Sequence, residues 1–106
     1  MFLDDEKQTE LHGFCLNKYG KLHPSSIDLN RYYKNNNGSF ESDDYGSSGN
    51  LSSTSRDLKV EISSAKILFH AKLRGGRGFE DRNIDLNINI ENDDGRFKFV
   101  KQYVSD

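Results

Sequence analysis

Apolar residues along this chain fall into short alternating runs rather than helical stripes. Ile67-Leu68-Phe69-His70-Ala71-Lys72-Leu73 and Arg96-Phe97-Lys98-Phe99-Val100-Lys101, with Tyr103 beyond, each pave one face of a sheet with apolar side chains. Between the runs lie turn formers such as Lys18-Tyr19-Gly20 and Gly75-Gly76. The pattern predicts strands over 11–17, 21–23, 39–42, 51–60, 66–74, 78–81 and 96–103. It also predicts a core of Leu11, Ile27, Leu29, Phe40, Leu58, Phe69, Leu73, Phe79, Ile84, Leu86, Phe97 and Phe99.

The pattern is written twice. Ser26-Ile27-Asp28-Leu29-Asn30 returns as Asn83-Ile84-Asp85-Leu86-Asn87, and Asn37-Gly38 returns as Asp94-Gly95. Ile27 and Ile84, like Gly38 and Gly95, are 57 positions apart. Half of so short a chain has too little apolar surface to close a core alone, so the two copies must bury their faces together. The first copy, preceded by Pro24-Ser25, reads as a short serine-capped helical turn. In the second, Ile84, Leu86, Ile88 and Ile90 alternate as in a strand. Two copies should share one conformation, and short helical turns in both are expected. The reading is one domain over 1–106, with repeat 1 over about 1–42, an apolar-poor linker over about 43–50 and repeat 2 over about 51–106.

Composition changes this picture little. The 106 residues are 33% hydrophobic and 30% charged, which would suit disorder were it not for the matched halves. A net charge of −2 disfavours nucleic acid and anionic membranes as partners. No apolar run is long enough to span a bilayer, and Met1 leads into Asp4-Asp5-Glu6 without an apolar leader. With Cys15 as the only cysteine, this favours a reducing, cytoplasmic setting.

Few residues suggest catalysis or metal binding. His12, His23 and His70 lack ligand spacing with Cys15, and neither Asp43-Asp44 nor Asp93-Asp94 sits in a calcium-loop pattern. Arg74-Gly75-Gly76-Arg77-Gly78 is a single RGG-like segment in an acidic chain. Cys15 is expected to be buried and inert. No nucleophile, base and orienting group assemble, so no enzyme, cofactor or metal is expected.

The motif Pro24-Ser25-Ser26-Ile27-Asp28-Leu29-Asn30, an Asn-rich spacer and Gly38-Ser39-Phe40, repeated once, resembles the cyanovirin-N family of lectins. The resemblance runs from Leu11 to Tyr103. It implies an all-β fold of two pseudo-symmetric halves, each a three-stranded sheet plus a β-hairpin with short helical turns, with segments exchanged between the repeats. It also implies binding of high-mannose oligosaccharides without metal or catalysis. Two departures accompany it. Ser55 stands at a family cysteine position, with the bridge partner expected near Ala71 or Lys72. The opening strand of the first repeat is shortened or absent, since its counterpart at Leu51 maps to a position before Met1.

Mannose is neutral and presents vicinal hydroxyls, which amide, hydroxyl and guanidinium groups around a shallow groove recognise. Carried over by resemblance, the sugar-binding residues fall on Lys34, Asn35, Asn37, Asn50, Ser53, Thr54, Lys72, Arg74 and Gly76. A weaker, pseudo-equivalent site falls on Asn17, Lys18, Asn92 and Asp94, beside Leu16. The competing reading is a protein-interaction module of the same fold that has lost sugar binding. The long Gly- and Ser-rich linker favours closure within one chain, hence a monomer.

Overall fold

The computed structural model describes residues 1–42 and 50–100. Repeat 1 folds as β1 (Phe2–Leu3), β2 (Glu10–Leu16), β3 (Leu22–Asp28), a 3₁₀ turn (Leu29–Arg31), β4 (Tyr33–Asn36) and β5 (Ser39–Ser42). Repeat 2 opens on the short helix α1 (Asn50–Thr54) and continues as β6 (Ser55–Ser63), β7 (Lys66–Gly75), β8 (Gly78–Asp85), a 3₁₀ turn (Leu86–Ile88), β9 (Ile90–Asn92) and β10 (Phe97–Phe99). Two antiparallel three-stranded sheets, β1-β2-β3 and β6-β7-β8, carry two hairpins, β4-β5 and β9-β10. This is the all-β architecture of two pseudo-symmetric halves.

The halves are exchanged. Hairpin β4-β5 of repeat 1 seats on the sheet of repeat 2, where Arg82 Nε donates to the Gly38 carbonyl at 2.7 Å. Hairpin β9-β10 of repeat 2 returns to the sheet of repeat 1, where the Phe97 amide donates to Ser25 Oγ at 3.0 Å. Neither half is therefore a contiguous segment. Leu11, Ile27, Leu29, Tyr33, Leu51, Phe69, Ala71, Leu73, Leu86 and Ile90 close a single core between them.

The two copies of the motif share one conformation, and each contains the expected short helical turn, which begins later than expected. Ser25 to Asp28 and Asn83 to Asp85 continue the strands β3 and β8, and only the next three residues turn. The caps are aspartates, not serines: Asp28 Oδ1 accepts from the Asn30 amide and Asp85 Oδ1 from the Asn87 amide, both at 3.0 Å. The turn then rotates the chain, leaving Ile88 exposed while Ile90 is buried again, so the apparent alternation over 84–90 is broken by geometry.

Three other expectations are corrected. Residues 51–54, expected as strand, are helical within α1, a turn closed by the Ser55 hydroxyl donating to the Leu51 carbonyl. Ser55 lies opposite Leu73, one or two residues past the expected bridge partner. Phe79 is not core: it faces outward from β8, and the Arg56 guanidinium lies 3.8 Å from its ring centre. Phe40, Leu58, Ile84, Phe97 and Phe99 are partly buried against the core, whereas Cys15, Tyr33, Leu51, Ala71 and Ile90 are buried members the alternation did not flag. The shortened first strand persists as the two residues of β1, paired to His12 and Leu11. The expected linker falls, apart from Asn50, outside the described residues.

Candidate functional site

Each hairpin ends in the same turn. Asn37 and Asp94 both take φ of 50°, and Gly38 and Gly95 both take φ of 94°, the left-handed pair that a two-residue hairpin requires. An asparagine two residues earlier anchors each turn. Asn35 Oδ1 accepts from the Gly38 amide at 2.7 Å, and Asn92 Oδ1 accepts from the Gly95 amide at 2.9 Å. The amide end of each reaches across to the other repeat's sheet. Asn35 Nδ2 donates to the Arg74 carbonyl at 2.9 Å, and Asn92 Nδ2 donates to the Leu16 carbonyl at 2.7 Å. These are hairpin clamps, and they fix where the turn tips sit.

At the end formed by β4-β5, the clamp brings most of the carried-over residues together. Asn35 is buried, with a further contact from its amide to the Thr54 carbonyl at 3.4 Å, so its polar atoms face protein. Asn37 is exposed at the tip. Its carbonyl lies over Gly75, where an added Cβ would stand 3.1 Å from that oxygen, so glycine at 75 is what lets the turn approach. The close approach is made at Gly75 and not at Gly76, where a Cβ would meet Asn37 Oδ1 at an ordinary 3.7 Å. Arg74 is exposed beside the turn with its guanidinium 5.5 Å from the Phe79 ring centre. Lys34 pairs with Glu41 at 3.5 Å and Lys72 with Asp57 at 3.7 Å, so both cations are oriented rather than swinging free. Ser53 and Thr54 close α1 along the same edge. The result is a shallow rim of amide, hydroxyl, guanidinium and ammonium groups around a glycine floor.

The opposite end has the same frame and different contents. Asn17 Oδ1 accepts from the Tyr19 and Lys21 amides, both at 2.9 Å, and its Nδ2 lies 2.9 Å from His23 Nε2. Asp94 Oδ1 accepts from the Lys18 amide at 2.7 Å. Asn92 is the clamp. The side chains mapped here as ligands mostly hold the loop together, and Leu16, at the position of Arg74, offers only apolar surface.

Cys15 is a free, buried cysteine, and burial raises its thiol above the ordinary value, which keeps it protonated and unreactive. Asp4, Glu10 and His12, which no spacing pattern marks, converge with their donor atoms within 4.8 Å of one another. His12 Nε2 approaches Glu10 Oε1 at 2.8 Å and stacks against Phe2, an arrangement that ties β1 to β2. Backbone amides of Lys7 and Glu6 donate to Asp4 and hold its carboxyl below the usual range. Among the described residues no helix is long and apolar enough to cross a membrane.

Known proteins share this frame. A family model described as the CVNH domain matches residues 1–98. No curated protein matches the chain. Among solved structures, the CVNH protein of Gibberella zeae superposes with a TM-score of 0.79 at 28% identity, over 95% of this chain and 91% of that one. A designed cyanovirin-N homolog lectin gives 0.77 at 29% identity, over 92% and 91%. The CVNH protein of T. borchii gives 0.72 at 30% identity, over 92% and 89%.

Proposed function

Because the chain belongs to the CVNH domain family, we propose that it is a carbohydrate-binding lectin, acting without catalysis or cofactor on mannose-containing oligosaccharides in a reducing, cytoplasmic setting. One observation supports the placement of its site: at the β4-β5 end Asn37 and Arg74 stand exposed beside the half-buried Lys34, Thr54 and Lys72, whereas at the β9-β10 end Asn17 and Asp94 bond to backbone amides of one loop and Leu16 is apolar. Asn37 at the turn tip supplies a donor and an acceptor to adjacent hydroxyls. Arg74 supplies a planar fork of donors, and Lys34, Lys72, Ser53 and Thr54 edge the groove. Asn50 belongs to this set by resemblance. Asn35 acts by position: it fixes the tip and leaves the contacts to its neighbours.

Hydroxyl recognition on a shallow surface replaces water contacts with protein contacts of similar quality, so affinity for an isolated saccharide should lie in the millimolar to micromolar range, roughly −4 to −8 kcal/mol. A glycan array probed with the purified protein tests the class. Signal on branched mannose structures supports the reading. Signal only on glycans without mannose removes the mannose assignment, and an array blank at high protein concentration removes the lectin assignment and leaves a protein-interaction role of the same fold.

A further inference from the structure

The outer face of the β1-β2-β3 sheet is apolar where a lone domain should be polar. Register pairs Phe14 with Pro24 and Leu16 with Leu22, and all four side chains point away from the core. Phe14 is 67% exposed, Leu16 52% and Leu22 66%, and Tyr19, on the loop that continues this face, is 75% exposed. At the equivalent places on β7 and β8 stand Lys72, Arg74, Phe79 and Asp81, and the one aromatic among them lies under Arg56. The fold therefore accepts charge at these positions. The first half carries exposed apolar residues there at a cost in solubility that folding does not require.

We propose that this face is the interface of a two-fold homodimer, packing against the same face of a second copy. The apolar area fits. The exposed parts of Phe14, Leu16, Tyr19 and Leu22 amount to on the order of 500 Å², about what the apolar centre of an interface burying about 800 Å² per partner needs. A recess of about 190 Å³ adjoins the patch, lined by Phe14 and Leu16 together with Cys15, Leu86 and Ile90, and it gives a partner side chain a seat.

Charge selects the second copy over other occupants. Lys18 and Lys21 lie at the loop end of the face, where Asp94 accepts from the Lys18 amide. Asp4, Asp5, Glu6, Glu10 and Asp28 cluster at the other end, where Lys7 pairs with Glu10 and Asp28 and leaves the cluster net acidic. An antiparallel two-fold arrangement sets the basic end of each copy over the acidic end of its partner, and apolar centre over apolar centre. The face is its own complement. No segment need be exchanged, so the dimer is independent of the linker that favours a monomer, and independent of the saccharide reading.

Sedimentation of the 106-residue protein across a dilution series from about 1 mM to about 1 μM tests this. The expected result is a mass that doubles toward the concentrated end. The double substitution Phe14→Lys with Leu16→Arg, which installs the residues found at the equivalent sites of the other half, should weaken dimerisation at least ~100-fold. Amide spectra of the unsubstituted protein across the same series guard against a variant that misfolds: the shifts should be confined to His12–Ser26 and the acidic residues of 4–10. A protein monomeric throughout, a dimer indifferent to the folded double variant, or concentration-dependent shifts centred elsewhere would each overturn the proposal.

Discussion

The two hairpin tips are built on one plan and finished differently. Each has an asparagine clamp, a left-handed turn pair and a seat on the other repeat's sheet. At one tip the surroundings are Arg74, Lys72 and an outward-facing Asn37. At the other they are Leu16, Phe14 and side chains already bonded to their own loop. Duplication supplied the geometry twice, and the residues around it decide what each copy does. One end presents polar groups able to meet a neutral, hydroxylated ligand, and the other presents apolar surface better suited to protein. A fold-level likeness cannot draw this distinction, because the backbone is common to both ends.

The clamps offer the largest test of the comparison. Asn35 is buried and makes three bonds within the protein, so Asn35→Ala leaves the Arg74 carbonyl and the Gly38 amide without their partner. We expect a loss of about 2–4 kcal/mol in urea unfolding. Asn92 makes the equivalent bonds where water can replace them, and Asn92→Ala should cost about 1 kcal/mol. Equal losses would mean that the two seats are energetically alike and that the asymmetry is confined to surface chemistry.

A smaller effect separates the hairpins by pH. Tyr33 opens β4, and its counterpart at the head of β9 is Ile90, so only the first hairpin buries an ionisable group at this place. Burial, with the nearby negative charge of Asp85 second, raises the Tyr33 hydroxyl well above its ordinary value of 10.0. Its folded value exceeds its unfolded one, so its contribution is fully present below about pH 10 and is lost as pH rises beyond that, by up to about 1.4 kcal/mol per pH unit. Tyr33→Phe should lower stability at neutral pH by about 1 kcal/mol, through the hydrogen bond to Asn89 Oδ1 at 3.4 Å, and should flatten the alkaline decline. Unchanged alkaline slopes between the two proteins would show that Tyr33 is not the group responsible.

Much of this fold was legible in the sequence, because a duplication states its own symmetry. The spacing of 57 between Asp28 and Asp85 carries over intact to the strand ends, the 3₁₀ turns and the hairpins. It fails in β2 and β7, where Leu11 corresponds to Phe69 and Cys15 to Leu73, 58 apart. Between equivalent pairs the chain is one residue longer in the first repeat, with Leu22 six positions past its partner Leu16 and Phe79 five past Arg74, a loop difference that apolar periodicity cannot register. Hydrophobicity alone also misplaced Phe79, since it says that a side chain prefers burial but not which face of β8 it occupies or that Arg56 covers it. The short helix at 50–54 has too few residues to show a helical period. The site was legible by resemblance as a set of residues but not as roles. That Asn35 clamps while Asn37 is exposed depends on which way each points from the turn, and that Gly75 rather than Gly76 admits the turn depends on a contact between residues 38 positions apart.

The claim that one tip binds saccharide and the other does not is tested most directly by titrating a mannose di- or trisaccharide into the protein and following backbone amide shifts. Shifts are expected only at Lys34–Gly38, Asn50–Thr54 and Lys72–Gly76, fitted by a single site. A second, saturable cluster at Asn17, Lys18 and Asn92–Asp94, or shifts at that cluster alone, would contradict it.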